Sequence, residues 1–177
     1  MNKLSHLTEE WLDSIHINQI REFRCVNQNG DNHVQKFLQE QALDLMSQNL
    51  VRTRLFFDKN RSLIGFYSLF NDTIKLNKHK RKQLDIKLPH GVQDIPSIRL
   101  HFLGIDDKHM GKGYGNDLMA SIITNCINVA RISGCTLIVL EATEDVVQFY
   151  EKYDFIYVHP KEEYYIMVLN TKELIDV

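Results

Sequence analysis

The sequence predicts one α/β (α+β) domain, with a mixed, mostly antiparallel central sheet flanked by helices. Three observations lead there. Val51 to Phe57 and Ser62 to Phe70 are β-rich runs split by Asp58-Lys59-Asn60-Arg61, the pattern of an antiparallel hairpin. A strand from Arg99 to Ile105 passes through a glycine-rich turn into a helix from about Gly115 to Ile132, and then into the continuously apolar Thr136-Leu137-Ile138-Val139-Leu140. A right-handed crossover of that kind makes its two strands parallel. Finally, Phe155 to Val158 and Tyr164 to Leu169 close the chain as two short strands.

The remaining elements follow in order. Leu7 to Ile20 is expected to be a helix capped by Thr8, with Glu9 and Glu10 in its positive first turn. Gln28-Asn29-Gly30-Asp31-Asn32 is a turn cluster. After it, Val34, Phe37, Leu38, Ala42 and Leu45 share one helical face. Thr73 to Pro89 carries Lys75, Lys78, Lys80, Arg81, Lys82 and Lys87 with little apolar content, and is expected to begin as a strand and continue as a loop. Pro89 and Pro96 bracket a second irregular piece. On the long helix, Leu118, Ile122, Cys126 and Val129 form one stripe, and Met119, Ile123, Ile127 and Ala130 a second, so a broad face is buried. Gly134 stops that helix. Asp145 to Tyr153 is a further short helix. With no repeat, low-complexity stretch or linker, residues 1–177 are expected to be a single domain.

Composition narrows the function classes. The 177 residues are 44% hydrophobic and 25% charged, ordinary for a globular protein. The formal net charge of -2 supplies no global attraction to nucleic acid. Cys25, Cys126 and Cys135 are odd in number and not in CxxC spacing, so neither a disulfide framework nor a zinc site is indicated. His79, His90 and His109 show no ligand spacing, and no metal is implied. Met1 to Trp11 has no long apolar run, so neither a signal peptide nor a membrane span is expected, and the expected compartment is the cytoplasm.

The chemistry concentrates in Met110-Gly111-Lys112-Gly113-Tyr114-Gly115-Asn116, between a strand and a helix. Glycines at alternate positions let the backbone approach an anion closely. Free N–H groups and the helix N-terminus make a positive concavity that suits a diphosphate. The run ends in no Gly-Lys-Ser/Thr and is not G-x-G-x-x-G, which demotes nucleoside triphosphate and dinucleotide readings. A flexible turn without a ligand is the plainer alternative. Downstream, Phe149-Tyr150-Glu151-Lys152-Tyr153-Asp154-Phe155 is an amphipathic helix end. Tyr150 there is either a core aromatic or a proton donor to a departing thiolate.

Together the two segments resemble the GNAT superfamily. Its signature is a strand ending Leu-Ala-Val, then Gln/Arg-x-x-Gly-x-Gly/Ala, then Phe-Tyr-x-x-x-Gly-Phe. This chain has Leu103-Gly104-Ile105, the turn from Met110 to Gly115, and Phe149 to Phe155, with Met110 at the Gln/Arg position and Asp154 at the last glycine. The resemblance runs from Phe23 to Leu169 and implies a GNAT-like acyl-CoA N-acyltransferase fold. It further implies that acetyl-CoA is the co-substrate, with Leu103, Gly104 and Ile105 holding the pantetheine arm and thioester and Met110 to Asn116 holding the diphosphate. Tyr150 matches the family's general acid, and Glu144 stands where many members have an asparagine.

One subgroup is also similar: acetyltransferase toxins that acylate the amino acid on charged tRNA. The shared features are Phe23 before a helix, Gly65-Phe66-Tyr67-Ser68-Leu69, Ile95-Pro96 before the central strand, and Thr143-Glu144 before Phe149-Tyr150. Those toxins are usually basic and carry an arginine where this chain has Phe102. That difference and the net charge argue against tRNA; the basic run Lys75 to Lys82 argues for it.

The expected reaction is direct transfer of an acetyl group to a primary amine, with a small molecule or peptide favoured as acceptor. Acetylation of aminoacyl-tRNA is the first alternative and a non-catalytic acetyl-CoA-binding domain the second. The backbone N–H of Ile105 is expected to meet the oxyanion, and Tyr150 to protonate the thiolate. His101 and Glu141 are candidate bases, each also explicable as a structural residue. A monomer or homodimer is expected, with no membrane partner.

Overall fold

The computed structural model describes residues 7–26 and 30–175. Gln28 and Asn29 of the expected turn cluster, and the first six residues, lie outside that range. Seven strands form one sheet in the order β1-β2-β3-β4-β5-β7-β6. They are β1 (Thr8–Trp11), β2 (Arg52–Phe57), β3 (Leu63–Lys75), β4 (Asp94–Ile105), β5 (Leu137–Ala142), β6 (Ile156–Lys161) and β7 (Tyr164–Asn170). β4 and β5 are parallel, Ser97 opposite Leu137, as the crossover requires. The β1–β2, β2–β3, β5–β7 and β6–β7 pairs are antiparallel. The expected mixed, mostly antiparallel sheet with helices is therefore present.

Two compact units can be distinguished, residues 1–70 with 101–123 and residues 71–100 with 124–177. In the first, Phe23, Phe37, Leu38, Leu55, Phe57 and Phe66 anchor a buried cluster. It draws on α1 (Ile17–Glu22), α2 (His33–Lys36), the π-turn Phe37–Gln41 and α3 (Ala42–Ser47). In the second, Ile95, Leu137, Val139, Ile166 and Val168 are fully or nearly fully enclosed. Burying side chains of this size is worth about 1.5–3 kcal/mol each, the main favourable term in folding.

Two sequence expectations are corrected. The helix expected over Leu7 to Ile20 is a strand and a later, shorter helix. Thr8 to Trp11 pair with Arg54 to Phe57, and Glu9 and Glu10 are strand residues bonded to Arg54 and Arg61 rather than charges in a helix turn. The cap is Asp13: its carboxylate and the His16 ring form a reciprocal capping box, with Asp13 N–H donating to His16 Nδ1 at 3.0 Å. The basic stretch expected as a loop is a helix, α4 (Lys78–Gln83), capped at its start by the Asn77 side chain accepting from Lys80 N–H. At its end Ile86 N–H donates to Arg81 C=O at 2.8 Å and Asp85 N–H to Lys82 C=O at 3.2 Å. Asp85 is left-handed there, φ 49°, the geometry of a Schellman stop.

The long helix α5 (Tyr114–Ser133) buries Leu118, Met119, Ile122 and Cys126, while Val129 reaches solvent at its outer edge. Gly134 ends it at φ 71°, donating to Ala130 C=O. The expected helix at Asp145 to Tyr153 is a 3₁₀ turn, Glu144–Val146, running into α6 (Val147–Glu151). No described helix is long and apolar enough to cross a membrane.

Candidate functional site

The glycine turn has the backbone that its glycines permit. Gly111 and Gly113 sit at φ 73° and 87°, a region that L side chains rarely enter, and a Cβ built at either would meet no protein atom within 4 Å. The concavity is therefore open on the side where these residues lack side chains, and α5 starts at the next residue. The first amides of a helix lack an i−4 carbonyl; here Asn116 N–H is taken by Gly113 C=O at 3.0 Å, and the helix N-terminus as a whole still favours an anion. The residues present fit a diphosphate. Lys112 folds back to donate to Lys108 C=O at 2.8 Å, with Tyr114 against the His109 ring at 6.1 Å. Met110, at the position where the signature carries Gln or Arg, is exposed.

Asp106 is the residue that sequence reasoning missed. Its buried carboxylate accepts from Lys108 N–H and from Arg24 N–H, both at 3.0 Å. Asp106 N–H donates to Ile64 C=O, and Asp107 N–H to Arg24 C=O. The entry to the phosphate turn is thereby clamped to β3 and to the segment after α1. An aspartate directly after a strand and before a turn was the available signal.

The strand residues Leu103, Gly104 and Ile105 lead into this clamp. Gly104 has a packing reason to be glycine: a Cβ there would come within 2.9 Å of both Phe66 and Val34. Gly65 on β3 is more constrained still, since its Cβ would lie 2.6 Å from Gly104 O. The Ile105 backbone N–H faces the Cys25 sulfur and draws that thiol down. Burial, the larger influence, together with Asp107 and Asp106, pushes it up to about 11. Burial likewise pushes Cys126 up to about 12. Neither is the low-pKa thiolate that an acyl-enzyme route would use.

His101 lies exposed on β4 within an aromatic surround, with ring centroids 5.0 Å from Phe37, 5.2 Å from Phe70 and 4.2 Å from Phe102. Glu141, on β5 in the second unit, accepts from Arg99 Nη1 at 2.9 Å and Lys161 Nζ at 2.8 Å. Arg99 also binds Asp72 at 2.6 Å. This ion-pair chain accounts for Glu141 without a proton-transfer role. Tyr150, also in the second unit, is buried on α6 between Phe149 at 5.2 Å and Phe155 at 5.9 Å. Burial raises its phenol well above the usual tyrosine value. Its ring is held by packing, and no described group hydrogen-bonds its hydroxyl. After it, Asp154, at the position where the signature has glycine, is left-handed at φ 64°. Among the described residues no cluster of three or more His, Cys, Asp or Glu is placed to hold a metal.

Comparison with known proteins agrees with this geometry. A "tRNA-acetylating toxin" of Mycobacterium tuberculosis is 28% identical over 109 residues, covering 60% of this chain and 62% of that protein. A "Probable toxin TacT" of Sinorhizobium fredii is 26% identical over 106 residues, covering 55% and 58%. The chain thus spans about three fifths of the length of the curated relatives it matches. AtaT complexed with acetyl-methionyl-tRNAfMet superposes with a TM-score of 0.77 at 22% identity over 95% of this chain and 96% of that one. A bacterial toxin superposes at 0.80 with 17% identity over 97% and 94%; both likenesses establish the fold. Residues 90–166, from before β4 through the glycine turn, α5, α6 and into β7, match the family model described as Acetyltransferase (GNAT) domain.

Proposed function

We propose that this chain is an acetyl-CoA-dependent N-acetyltransferase whose acceptor is the amino group of an aminoacyl-tRNA. The left-handed glycine turn, open where side chains are lacking, supports the acetyl-CoA half of that reading. The curated relatives support the acceptor half, one being named for acetylating tRNA. They favour charged tRNA over the small molecule or peptide that the net charge had put first. Helix α4 is consistent with this choice: Lys78 and Lys82 are exposed on it, and it contains no acidic residue.

In this reading Leu103 to Ile105 hold the thioester arm through backbone groups and Met110 to Asn116 hold the diphosphate. The Ile105 N–H serves the developing oxyanion. Sulfur is a weak acceptor, so an oxyanion would displace the Cys25 thiol from that donor. His101 is the candidate to take the amine's proton. Tyr150 gives its proton to the departing thiolate, and burial keeps the phenol in the protonated form that this role needs. Transfer is direct, with no acyl-enzyme.

The test is coenzyme A release from acetyl-CoA in the presence of charged tRNA, deacylated tRNA, free amines and peptides. Release with charged tRNA alone, and acetyl label recovered on the amino acid, is the expected result. Turnover with amines or peptides but none with any charged tRNA would reject the acceptor.

A further inference from the structure

The β3–β4 connection encloses a cavity of about 410 Å³ whose polar lining comes from Lys75, Arg81, His90 and Gln93. No carboxylate lines it, although the chain as a whole is acidic. Leu76 and Leu88 add an apolar part, which lowers the local dielectric and strengthens any ionic contact made there. Arg81 is the central group. Its Nε is buried and meets no hydrogen-bond partner among the described residues. A buried donor left this way calls for an explanation, and an acceptor seated in the cavity against the guanidinium would supply one. The backbone beneath it is fixed: Arg81 N–H donates to Asn77 C=O, and its own carbonyl takes the Schellman bond from Ile86. The opposite wall is a turn closed by Val92 N–H to Pro89 C=O at 3.1 Å, with Gly91 at φ 82°. The cavity is thus bounded by two locally hydrogen-bonded elements.

The neighbouring charges indicate the ligand. Lys78 and Lys82 extend positive charge along α4 beyond the cavity. Lys80 does not, because it is tied to Tyr157 C=O at 2.7 Å. Of the carboxylates close by in sequence, Asp94 is loosely paired with Lys75 at 3.9 Å and Asp85, at the end of α4, is held by Lys172 at 2.7 Å. A guanidinium with a free donor, flanked by exposed lysines, suits a phosphate that is one of a series rather than an isolated anion.

We propose that this cavity seats one backbone phosphate of the RNA, through Arg81 with Lys75 and His90, while Lys78 and Lys82 follow the adjacent phosphates. The proposal rests on the aminoacyl-tRNA reading for the identity of the RNA, but binding can be measured without transfer. The experiment titrates the whole protein with deacylated tRNA across a salt series, alongside acetyl-CoA affinity and melting temperature. Arg81→Gln should weaken tRNA about tenfold at low salt and reduce the log–log salt slope by about one. Arg81→Lys should recover part of the affinity, and acetyl-CoA affinity should stay at the wild-type value in both. Should R81Q fail to fold, Lys75→Gln and His90→Gln probe the same cavity from outside α4. An unchanged tRNA affinity and slope in folded variants would overturn the proposal. So would Arg81-dependent binding of inorganic phosphate that tRNA does not compete away. If charged tRNA is not acetylated yet deacylated tRNA binds through Arg81, the acceptor reading fails and the cavity assignment stands. If charged tRNA is acetylated with an unchanged KM in R81Q, the cavity assignment fails alone.

Discussion

Tyr150→Phe separates chemistry from packing with a single oxygen. The ring is enclosed by Phe149 and Phe155, and phenylalanine fills the same volume. The hydroxyl has no partner among the described residues, so its removal orphans nothing and the usual penalty of about 1–3 kcal/mol for a stranded buried group does not arise. A change within about 0.5 kcal/mol is expected. For a chain of this size that is a shift of about 1–2 °C in melting temperature. Turnover is another matter. Loss of a general acid lowers the rate by about 10²–10⁴-fold, equivalent to about 2.7–5.4 kcal/mol of transition-state stabilisation. The assay is coenzyme A release and thermal melting on the same preparation, with acetyl-CoA affinity measured beside them. The expected result is a folded protein with unchanged affinity and strongly reduced turnover. A stable, fully active Y150F refutes the general-acid assignment; a drop of several degrees with activity lost in proportion refutes the reading of the hydroxyl as unpartnered.

Two further outcomes follow from the same structure. Gly113→Val forces a branched side chain into a left-handed position, so coenzyme A affinity measured by calorimetry should fall at least tenfold, about 1.4 kcal/mol; an unchanged affinity in the folded variant removes the turn from the site. Stability should also decline at alkaline pH. Cys25 and Cys126 are raised to about 11 and about 12 in the folded chain, so the unfolded thiols release protons first, near pH 8.5. The stabilisation is complete below that pH and is lost as pH climbs through the folded values. The urea midpoint at pH 10.5 should therefore lie below that at pH 8, and Cys126→Ala should shrink the difference; equal midpoints would contradict the burial of these thiols.

What the sequence disclosed divides along the range of the interactions involved. The β4–α5–β5 unit was legible because its signals are local: a 3.6-residue stripe from Leu118 to Ala130, a continuous apolar strand, and glycines where φ is positive. The proposed acid role of Tyr150 rests on the family resemblance, since spacing cannot distinguish it from a core aromatic. β1 was misread because Thr8-Glu9-Glu10 has the composition of a helix start, while its partners Arg54 to Phe57 lie more than forty residues away. At Asp106 the local pattern marked only a turn; the bond that clamps it is invisible for the same reason, since its partner Arg24 is 82 residues earlier. Helix α4 escaped because a charge run has no apolar period, and its two ends are fixed by Asn77 and the left-handed Asp85 instead.

The net charge carries less weight than a bare sum of charged residues suggests. A sum of -2 argued against a nucleic-acid partner, but the sum takes no account of where the anions are committed. Glu9 is bound to Arg54, Glu10 to Arg61 and His16, Asp72 to Arg99, Glu141 to Arg99 and Lys161, and Asp85 to Lys172. Glu10 shows how firmly: hydrogen bonds from Arg61 and His16 hold its carboxyl well down, at about 2. Paired charges cancel at distances beyond the pair, and at physiological salt any field is screened within about 8 Å. A phosphate approaching α4 would meet Lys78, Lys82 and Arg81, with Asp85 at the end of that helix already paired with Lys172 at 2.7 Å. An overall acidic chain and a local anion site are compatible, and it is the local arrangement that decides what binds there.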